Sequence, residues 1–578
     1  MSRDSSKYIF TCLSAASEPG RHLPGPPWLS RVLDLLHYLW VENVATKSQS
    51  PWRPLRIPLF RNLLIADLVS DIGTFMQSVG AAWLMTSLTT SPMYVALIQT
   101  ASALPFFVLA LPAGSLGDIF DRQKLILRTE LWMLGMAIVL AATTITHTMT
   151  PWLLLLLTFG LSAGDAIEAP TWRAIFPELV PKEDLPPALA LNGIEFNLAR
   201  AIGPGLAGLI IAVAGVGMAF VLNALSFLGV IAVIAGWKRP ARKRQLPAET
   251  LGGATIAALR YVRYSPDIQK LLFRSACVIF FSSAFWALLP AVARGLTESS
   301  LGYGLLLGFF GVGAVIGAVV LQRARSKLSV EWVVSGATVV FAGVMLALAT
   351  LHRLPLLCFL ILFGGAAWTV FMSTFNTLVQ DLAPDWVRAR VLAIYLFIFQ
   401  GSVALGSTLW GVAAEHTSAN RALLFSGIGI AACLALPVLA RLPAARGSLE
   451  AWNHWGKLSM VTQPEPDEGP VLVAIEYRVD PEKVPEFLDA LHDYERIRRR
   501  DGAMRWGVYY DAEHPGVYLE NFVVESWAEH ARQHDRFTVA DRKFEERVLG
   551  LVLESPKTRH FLYANRVKGI STVRERKQ

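Results

Sequence analysis

Long apolar runs follow one another from residue 59 to residue 441, separated only by short polar breaks. A helix crosses the hydrocarbon of a bilayer in about 20 mostly apolar residues. Segments near 59–88, 92–117, 124–146, 152–175, 188–213, 216–237, 268–293, 301–322, 330–350, 355–379, 389–413 and 420–441 meet that test. The pattern predicts an all-α polytopic membrane protein of twelve transmembrane helices. Beyond residue 443 it changes. Residues 443–468 mix Pro, Gly and polar side chains and read as a linker. Strand and helix periods then alternate: strand 471–479, helix 482–500, strands 504–510 and 516–526, helix 527–551, strand 559–564. This βαββαβ order predicts a C-terminal α+β, ferredoxin-like soluble domain.

The expected organisation is an N-terminal extension (1–52), poorly ordered, then helices 1–6 (53–237) and a loop between the halves (238–267). Helices 7–12 (268–442), the linker (443–468), the soluble domain (469–566) and a basic tail (567–578) follow. Residues 31–41 (RVLDLLHYLWV) read either as a short amphipathic surface helix or as lying ahead of a true start near Val44. No apolar run followed by a small-residue cleavage site marks a signal peptide in the first 50 residues.

Composition sharpens this picture. The 578 residues are 53% hydrophobic and 17% charged, against about 25% charged in a soluble domain. The net charge of +8 is a topology signal, because Lys and Arg gather in alternate loops. Those after spans 2, 4, 6, 8 and 10 carry fifteen (Arg122 to Arg390), and those on the other side carry only Arg294, Arg353 and Arg421. A bacterial inner membrane is the expected setting, and the bias predicts that both termini lie in the cytoplasm. It also removes nucleic acid as a partner. Cys12, Cys277, Cys358 and Cys433 have neither disulfide nor metal spacing, and no metal or cofactor is expected.

The chain matches itself at an offset of 203 residues: Trp83/Trp286, Gly114/Gly317, Arg122/Arg325, Lys124/Lys327, Pro181/Pro384, Gly203/Gly406, Gly208/Gly411, with the acids Glu178/Asp381. Two six-helix repeats around a central site are the layout of an alternating-access transporter.

An ionisable residue in mid-span costs about 2.5–3.5 kcal/mol on insertion scales, so each needs a partner, water or a role. Asp67 and Asp71 in span 1 share a face with Thr74 and Ser78, a polar stripe expected to line the central cavity. Asp165 and Glu168 share a face of span 4. In span 5, Asn197 and Arg200 lie on one face and Glu195 roughly opposite. The functional reading gives these acids proton coupling. The structural reading pairs Arg200 with Asp165 or Glu168 to hold spans 4 and 5 together. At the 203 offset, Asp67 and Asp71 fall on Lys270 and Arg274. Arg274 is therefore either part of a breakable charge gate between the halves or locally paired. Trp368 and Phe371 correspond by offset to Asp165 and Glu168, and predict an aromatic cavity wall in the second half.

GSLGDIFDRQK (114–124) resembles the loop signature of the major facilitator superfamily, and RAIGPGLAG (200–208) resembles the Gly-Pro signature found in span 5 of its exporters. The resemblance implies close helix approach at Gly114 and a cytoplasmic charge lock of Asp118, Arg122 and Lys124. Gly203, Pro204 and Gly208 would be a tight, bendable stretch of span 5. Asp121 departs from the glycine usual in the loop. Residues 169–192 and 498–542 are similar to the enterobactin-exporter-like branch, of transmembrane secretion effector type, over about residues 53–565. The tail resembles antibiotic-biosynthesis-monooxygenase-type domains, which implies dimerisation through its sheet. His530 and His534 share a helix face there without an evident third ligand, and Arg496, Arg498, Arg499 and Arg500 form a basic run for anionic lipid or a solvated helix end.

The leading expectation is a secondary transporter: proton-coupled export of a small amphiphilic molecule, such as a siderophore, drug or secondary metabolite, with no enzyme activity. The alternatives are a membrane-tethered sensor or enzyme acting through the tail, and an importer. No GxxxxGK[ST] loop is present to drive an ATP pump.

Overall fold

The computed structural model describes residues 51–119, 121–237, 251–297, 299–443, 449–450, 452 and 464–564, with side chains excepted at 110–119 and 251–254. The N-terminal extension up to residue 50, most of the linker, the basic tail and Cys12 lie outside the described residues.

Twelve described helices are long and apolar enough to span a bilayer. In the first half they are α1 (Pro58–Leu88), α2 (Pro92–Ile119), α3 (Arg122–Ile145), α4 (Pro151–Leu179), α5 (Leu185–Ala214) and α6 (Val216–Gly236). A further helix, α7 (Leu251–Arg263), stands in the connection where only a loop was expected. The second half comprises α8 (Pro266–Leu296), α9 (Ser300–Arg325), α10 (Val330–Thr350), α11 (Leu354–Asp381), α12 (Asp385–His416) and α13 (Ala419–Ala432). A 3₁₀ turn and the short α14 (Leu436–Leu439) complete the last span. Capping sets several boundaries. Asp121 is the N-cap of α3, accepting from the Lys124 amide at 3.0 Å. That gives the departing residue of the loop motif a local role.

The internal repeat is visible in the packing. Gly203 of α5 lies against Phe75 of α1, and Gly406 of α12 lies against Phe280 and Ser283 of α8. Gly208 of α5 meets Gly304 of α9 across the halves, while Gly411 of α12 meets Met93 and Ala96 of α2. Each half thus packs a glycine-bearing helix on its own first helix and on the second helix of the other half. Small residues let backbones approach where no hydrophobic drive exists between helices in lipid. These cross-half contacts sit at the end remote from the tail. There Ser91 Oγ donates to Glu415 Oε2 at 2.6 Å, Trp83 stacks on Tyr303, and the Arg294 guanidinium lies 5.1 Å from the Trp83 ring.

The tail forms a four-stranded antiparallel sheet, β1 (Val471–Arg478), β2 (Arg505–Tyr510), β3 (Val517–Val524) and β4 (Lys557–Leu562), in the order β2-β3-β1-β4. α15 (Val484–Asp501) follows β1. α16 (Trp527–Arg536) and α17 (Arg542–Leu549) follow β3, where one helix was expected. One sheet face is sealed by helices over Val471, Val473, Phe487, Leu491 and Phe522. The basic run divides: Arg496 is exposed and Arg499 half-buried, while Arg498 and Arg500 turn inward. Arg498 is buried against Glu520 at 3.1 Å, and Arg500 is held between Asp501 and Asp541, each at 2.7 Å. Both project inward from α15, and ion pairing meets the cost of burial.

Candidate substrate and proton site

A cavity of about 500 Å³ lies among the helices of the first half, within the roughly 300–1,000 Å³ of small-molecule sites. α1 contributes Asp67, Asp71, Thr74, Gln77 and Ser78 at intervals of three and four, so that one face of that helix is polar. α4 contributes Asp165 and Glu168, three apart, with Trp172 and Arg173 a turn further on. α3 adds Glu130, and α5 adds Asn192 and Phe196.

The polar groups are linked across helices. Asn192 Nδ2 donates to Asp67 Oδ2 at 3.2 Å and to Glu195 Oε2 at 3.3 Å. The Thr129 hydroxyl donates to Glu168 Oε2, and Asn223 donates to Gln77. Carboxyls also meet carboxyls: Asp67 and Glu195 lie within hydrogen-bond reach of one another, as do Glu130 and Glu168. Oε2 of Glu130 and Oε1 of Glu195 are buried and receive no hydrogen bond from a described donor. A carboxyl pair at such range can share a proton.

Several expected residues sit elsewhere. Asn197 is turned outward and donates to Gly193 O of its own helix at 2.7 Å. Arg200 has no ion pair among the described residues and does not line the cavity, so the expected bridge to Asp165 or Glu168 is absent. The reason is rotational: α5 points Asn192 and Phe196 into the cavity and Glu195 at α1, which sends 197 and 200 to the other side. Arg274 is no gate opposite Asp67 and Asp71. It is 1% exposed and pairs with Glu331 of α10 at 2.6 Å, while Glu331 also accepts from the Leu442 amide at 3.0 Å. Trp368 and Phe371 form no cavity wall. They pack inside the second half against Trp286 and Phe341.

Of the loop signature, the Gly114 and Asp118 side chains lie outside the described residues. Arg122 reaches Glu178 Oε1 at 3.0 Å and Ala174 O at 2.9 Å, tying α3 to α4. The Lys124 side chain is exposed. Gly203 and Gly208 provide the two close approaches of α5, and the helix continues through Pro204 between them.

Glu130, Asn192 and the Gln77–Asn223 pair were not anticipated. Each is a single polar residue in an apolar run, and only the three-dimensional meeting of spans shows that they converge.

In the tail, His530 and His534 approach at 3.3 Å between Nε2 atoms, and the His560 ring lies 4.8 Å from that of His530. Burial, then the neighbouring imidazoles, pushes His530 down to about 3. Burial, then Arg498, pushes His534 down to about 4. Among the described residues no group of three or more His, Cys, Asp or Glu is arranged to hold a metal ion.

The model of one family, described as transmembrane secretion effector, matches residues 49–568. The chain is 21% identical over 361 residues to a staphyloferrin A transporter of Staphylococcus aureus, covering 62% of this chain and 90% of that one. It is 25% identical over 389 residues to the enterobactin exporter EntS of Citrobacter koseri, covering 64% and 89%. Among solved structures it is similar to a bacterial homologue of the lysosomal transporter Spinster in an inward-facing, unoccupied conformation. The TM-score is 0.55 at 13% identity, over 68% of this chain and 98% of that one. A point mutant of the nucleoside transporter NupG gives a TM-score of 0.55 at 12% identity, over 66% and 99%. At those identities the likeness concerns the fold alone.

Proposed function

The chain belongs to the transmembrane secretion effector family of major facilitator transporters, and from that premise we propose that it exports a small amphiphilic organic molecule in exchange for protons. It is a multi-pass inner-membrane transporter of small molecules and not an enzyme; the likenesses are to transporters. The observation that carries the proton coupling is the cluster of Asp67, Asp71, Glu130, Asp165, Glu168 and Glu195 around one cavity, with carboxyl-to-carboxyl contacts at two places. Acids converging at mid-membrane are the parts of a proton relay. The export direction is supported by the relative that is a named exporter and by the small-residue face of α5.

In this reading both termini are cytoplasmic, as the Lys and Arg bias of the loops argues. The end at which the halves meet through Gly208 and Gly304 then faces the periplasm. We read the tail as a ferredoxin-like, monooxygenase-type domain, supported by its strand order and by helices on one sheet face. Its other face, with Leu519 and Phe561 partly exposed, would serve a homodimer.

The test is efflux of labelled amphiphiles from cells expressing the protein, with and without a protonophore, comparing wild type, Asp71→Asn and a deletion of 469–578. Protonophore-sensitive efflux that Asp71→Asn abolishes and the deletion retains is the expected result. Activity that depends on the tail and survives loss of Asp71 would favour the tethered sensor or enzyme instead.

A further inference from the structure

The charge of the cavity is one-sided. Asp67, Asp71, Glu130, Asp165 and Glu168 line it, and Arg173 is the lone cationic side chain among the described lining residues. Glu130 is 4% exposed, and its Oε2 receives no hydrogen bond from a described donor. Donors that do approach are already engaged: Thr129 with Glu168, Asn192 with Asp67. In a low-dielectric site such an excess of acid is balanced only by protons or by a cationic guest. The same wall carries aromatic rings, Phe106, Trp172, Phe196 and Phe227, whose faces attract cations.

We propose that the transported molecule is an organic cation: a protonated amine or quaternary ammonium joined to an aromatic or aliphatic body, which displaces protons from these carboxyls on binding. This deepens the reading of the cavity as the transport site and rests on it.

The experiment measures binding to the full chain in lipid nanodiscs, with ethidium as cationic probe and fluorescein as anionic probe. Ethidium should bind saturably, and its affinity should fall about tenfold for each unit by which the pH is lowered, per proton displaced. Asp71→Asn and Glu130→Gln, each checked for monodispersity, should weaken it and flatten the pH slope. Ethidium binding unchanged by pH and by both variants, or preferential binding of fluorescein, would overturn the assignment. Proton-driven transport of neutral or anionic molecules alone would also overturn it, while leaving the transport reading intact. Ethidium bound as expected but not moved by a pH gradient would support the cation site and sink the transport reading.

The contact between tail and transporter carries a second inference independently. Tyr261 of α7 and Trp386, in the first turn of α12, form an edge-to-face pair at 5.6 Å. The tail places a guanidinium on each: Arg500 at 5.5 Å from the Tyr261 ring and Arg536 at 4.6 Å from the Trp386 ring. Arg260 of α7 donates to Glu529 of α16 at 2.7 Å, and Arg536 donates to the same Oε1 at 2.6 Å. Tyr261, Arg500 and Arg536 are all buried. α7 connects the two halves, and α12 crosses α2 of the other half. A body clamped to both is therefore sensitive to how the halves sit.

We infer that the tail is a brace that favours the arrangement seen here, with the halves joined at the remote end. Spin labels at Thr90→Cys and Thr417→Cys in the full chain, native cysteines replaced, report on that end. Arg260→Glu, which sets two acids together, and Trp386→Leu should each broaden the distance distribution toward longer separations. Distributions identical to wild type in both variants, with limited proteolysis showing the tail released, would overturn the inference.

Discussion

Replacing Gly208 by alanine sets a Cβ 2.7 Å from the Cα of Gly304, and the reciprocal change at Gly304 sets one 2.6 Å from the Cα of Gly208. Both neighbours are backbone atoms, so no side chain can swing away. Carbon atoms rest at about 3.5–4.0 Å, which means α5 and α9 must part by about 1 Å at this crossing. Overpacking of this kind costs about 1–3 kcal/mol. Two conformations of a transporter differ by only a few kcal/mol, and each 1.4 kcal/mol changes their ratio about tenfold. Gly208→Ala should therefore shift the population away from the arrangement joined at the remote end by about one order of magnitude. At Gly205, one turn earlier on α5, an added Cβ would meet nothing within 4 Å, so Gly205→Ala serves as the control. The assay is the Thr90/Thr417 spin-label distance in nanodiscs, paired with efflux. A distribution that stays as wild type in Gly208→Ala, or that moves equally in Gly205→Ala, would refute the reasoning that this glycine contact sets the equilibrium.

Three further outcomes are expected. The His530 proton affinity is depressed by burial to about 3, so the folded tail keeps a neutral imidazole where the unfolded chain, near 6.5, takes up a proton. Its stabilising contribution is complete above about pH 6.5 and is lost as pH falls toward 3, amounting to about 2 kcal/mol by pH 5. Denaturation of the tail followed through Trp527, whose ring is 5.4 Å from His530, should show that loss, and a flat profile from pH 7 to pH 5 would contradict it. Arg274→Leu leaves the half-buried Glu331 with the Leu442 amide but without its ion-pair partner and should destabilise the second half by about 1–3 kcal/mol, with Glu331→Gln added in the same chain recovering much of it. Detergent-resistance or thermal-shift curves read this, and equal losses in single and double variants would count against it. Glu130→Gln should lower proton-driven efflux about tenfold, the weight of one charge-assisted contact, at unchanged protein level; wild-type efflux would remove Glu130 from the site.

The spans were legible because a bilayer imposes length and apolarity on each helix separately, so that twelve local readings needed no knowledge of packing. The repeat was legible through Trp, Pro, Arg and Gly matches, and the structure shows why the glycines recur: Gly203 and Gly406, Gly208 and Gly411 make equivalent contacts in the two halves. Helix rotation was not legible. Spacing places Glu195 opposite Asn197 and Arg200, but only the packing of α5 against α1 decides which side meets the acids. Partner choice was hidden for the same reason. Arg274 pairs with Glu331, 57 residues later in the chain, and nothing local to either residue announces the other. The tail's Arg498 and Arg500 read as part of a run for anionic lipid or a solvated helix end, since the acids that bury them, Glu520 and Asp541, stand on separate elements.

The offset that relates the halves also separates their roles. Asp165 and Glu168 of α4 correspond to Trp368 and Phe371 of α11, and Asp71 of α1 to Arg274 of α8. In the first half these positions face a cavity and keep carboxyls beside space that a proton or a guest can occupy. In the second half the same positions are filled: aromatic rings pack edge-on against Trp286 and Phe341 and stack on Phe375, and the arginine is neutralised by Glu331. A close-packed interior moves as a body, because a packed core switches between discrete arrangements rather than deforming. The close-packed half is thus suited to act as a rigid partner, and on the proposed reading the half with the cavity carries the chemistry that changes from one state to the other. If that reading holds, substitutions should divide accordingly: those in the first half change which protons and molecules move, those in the second change how readily the halves rock.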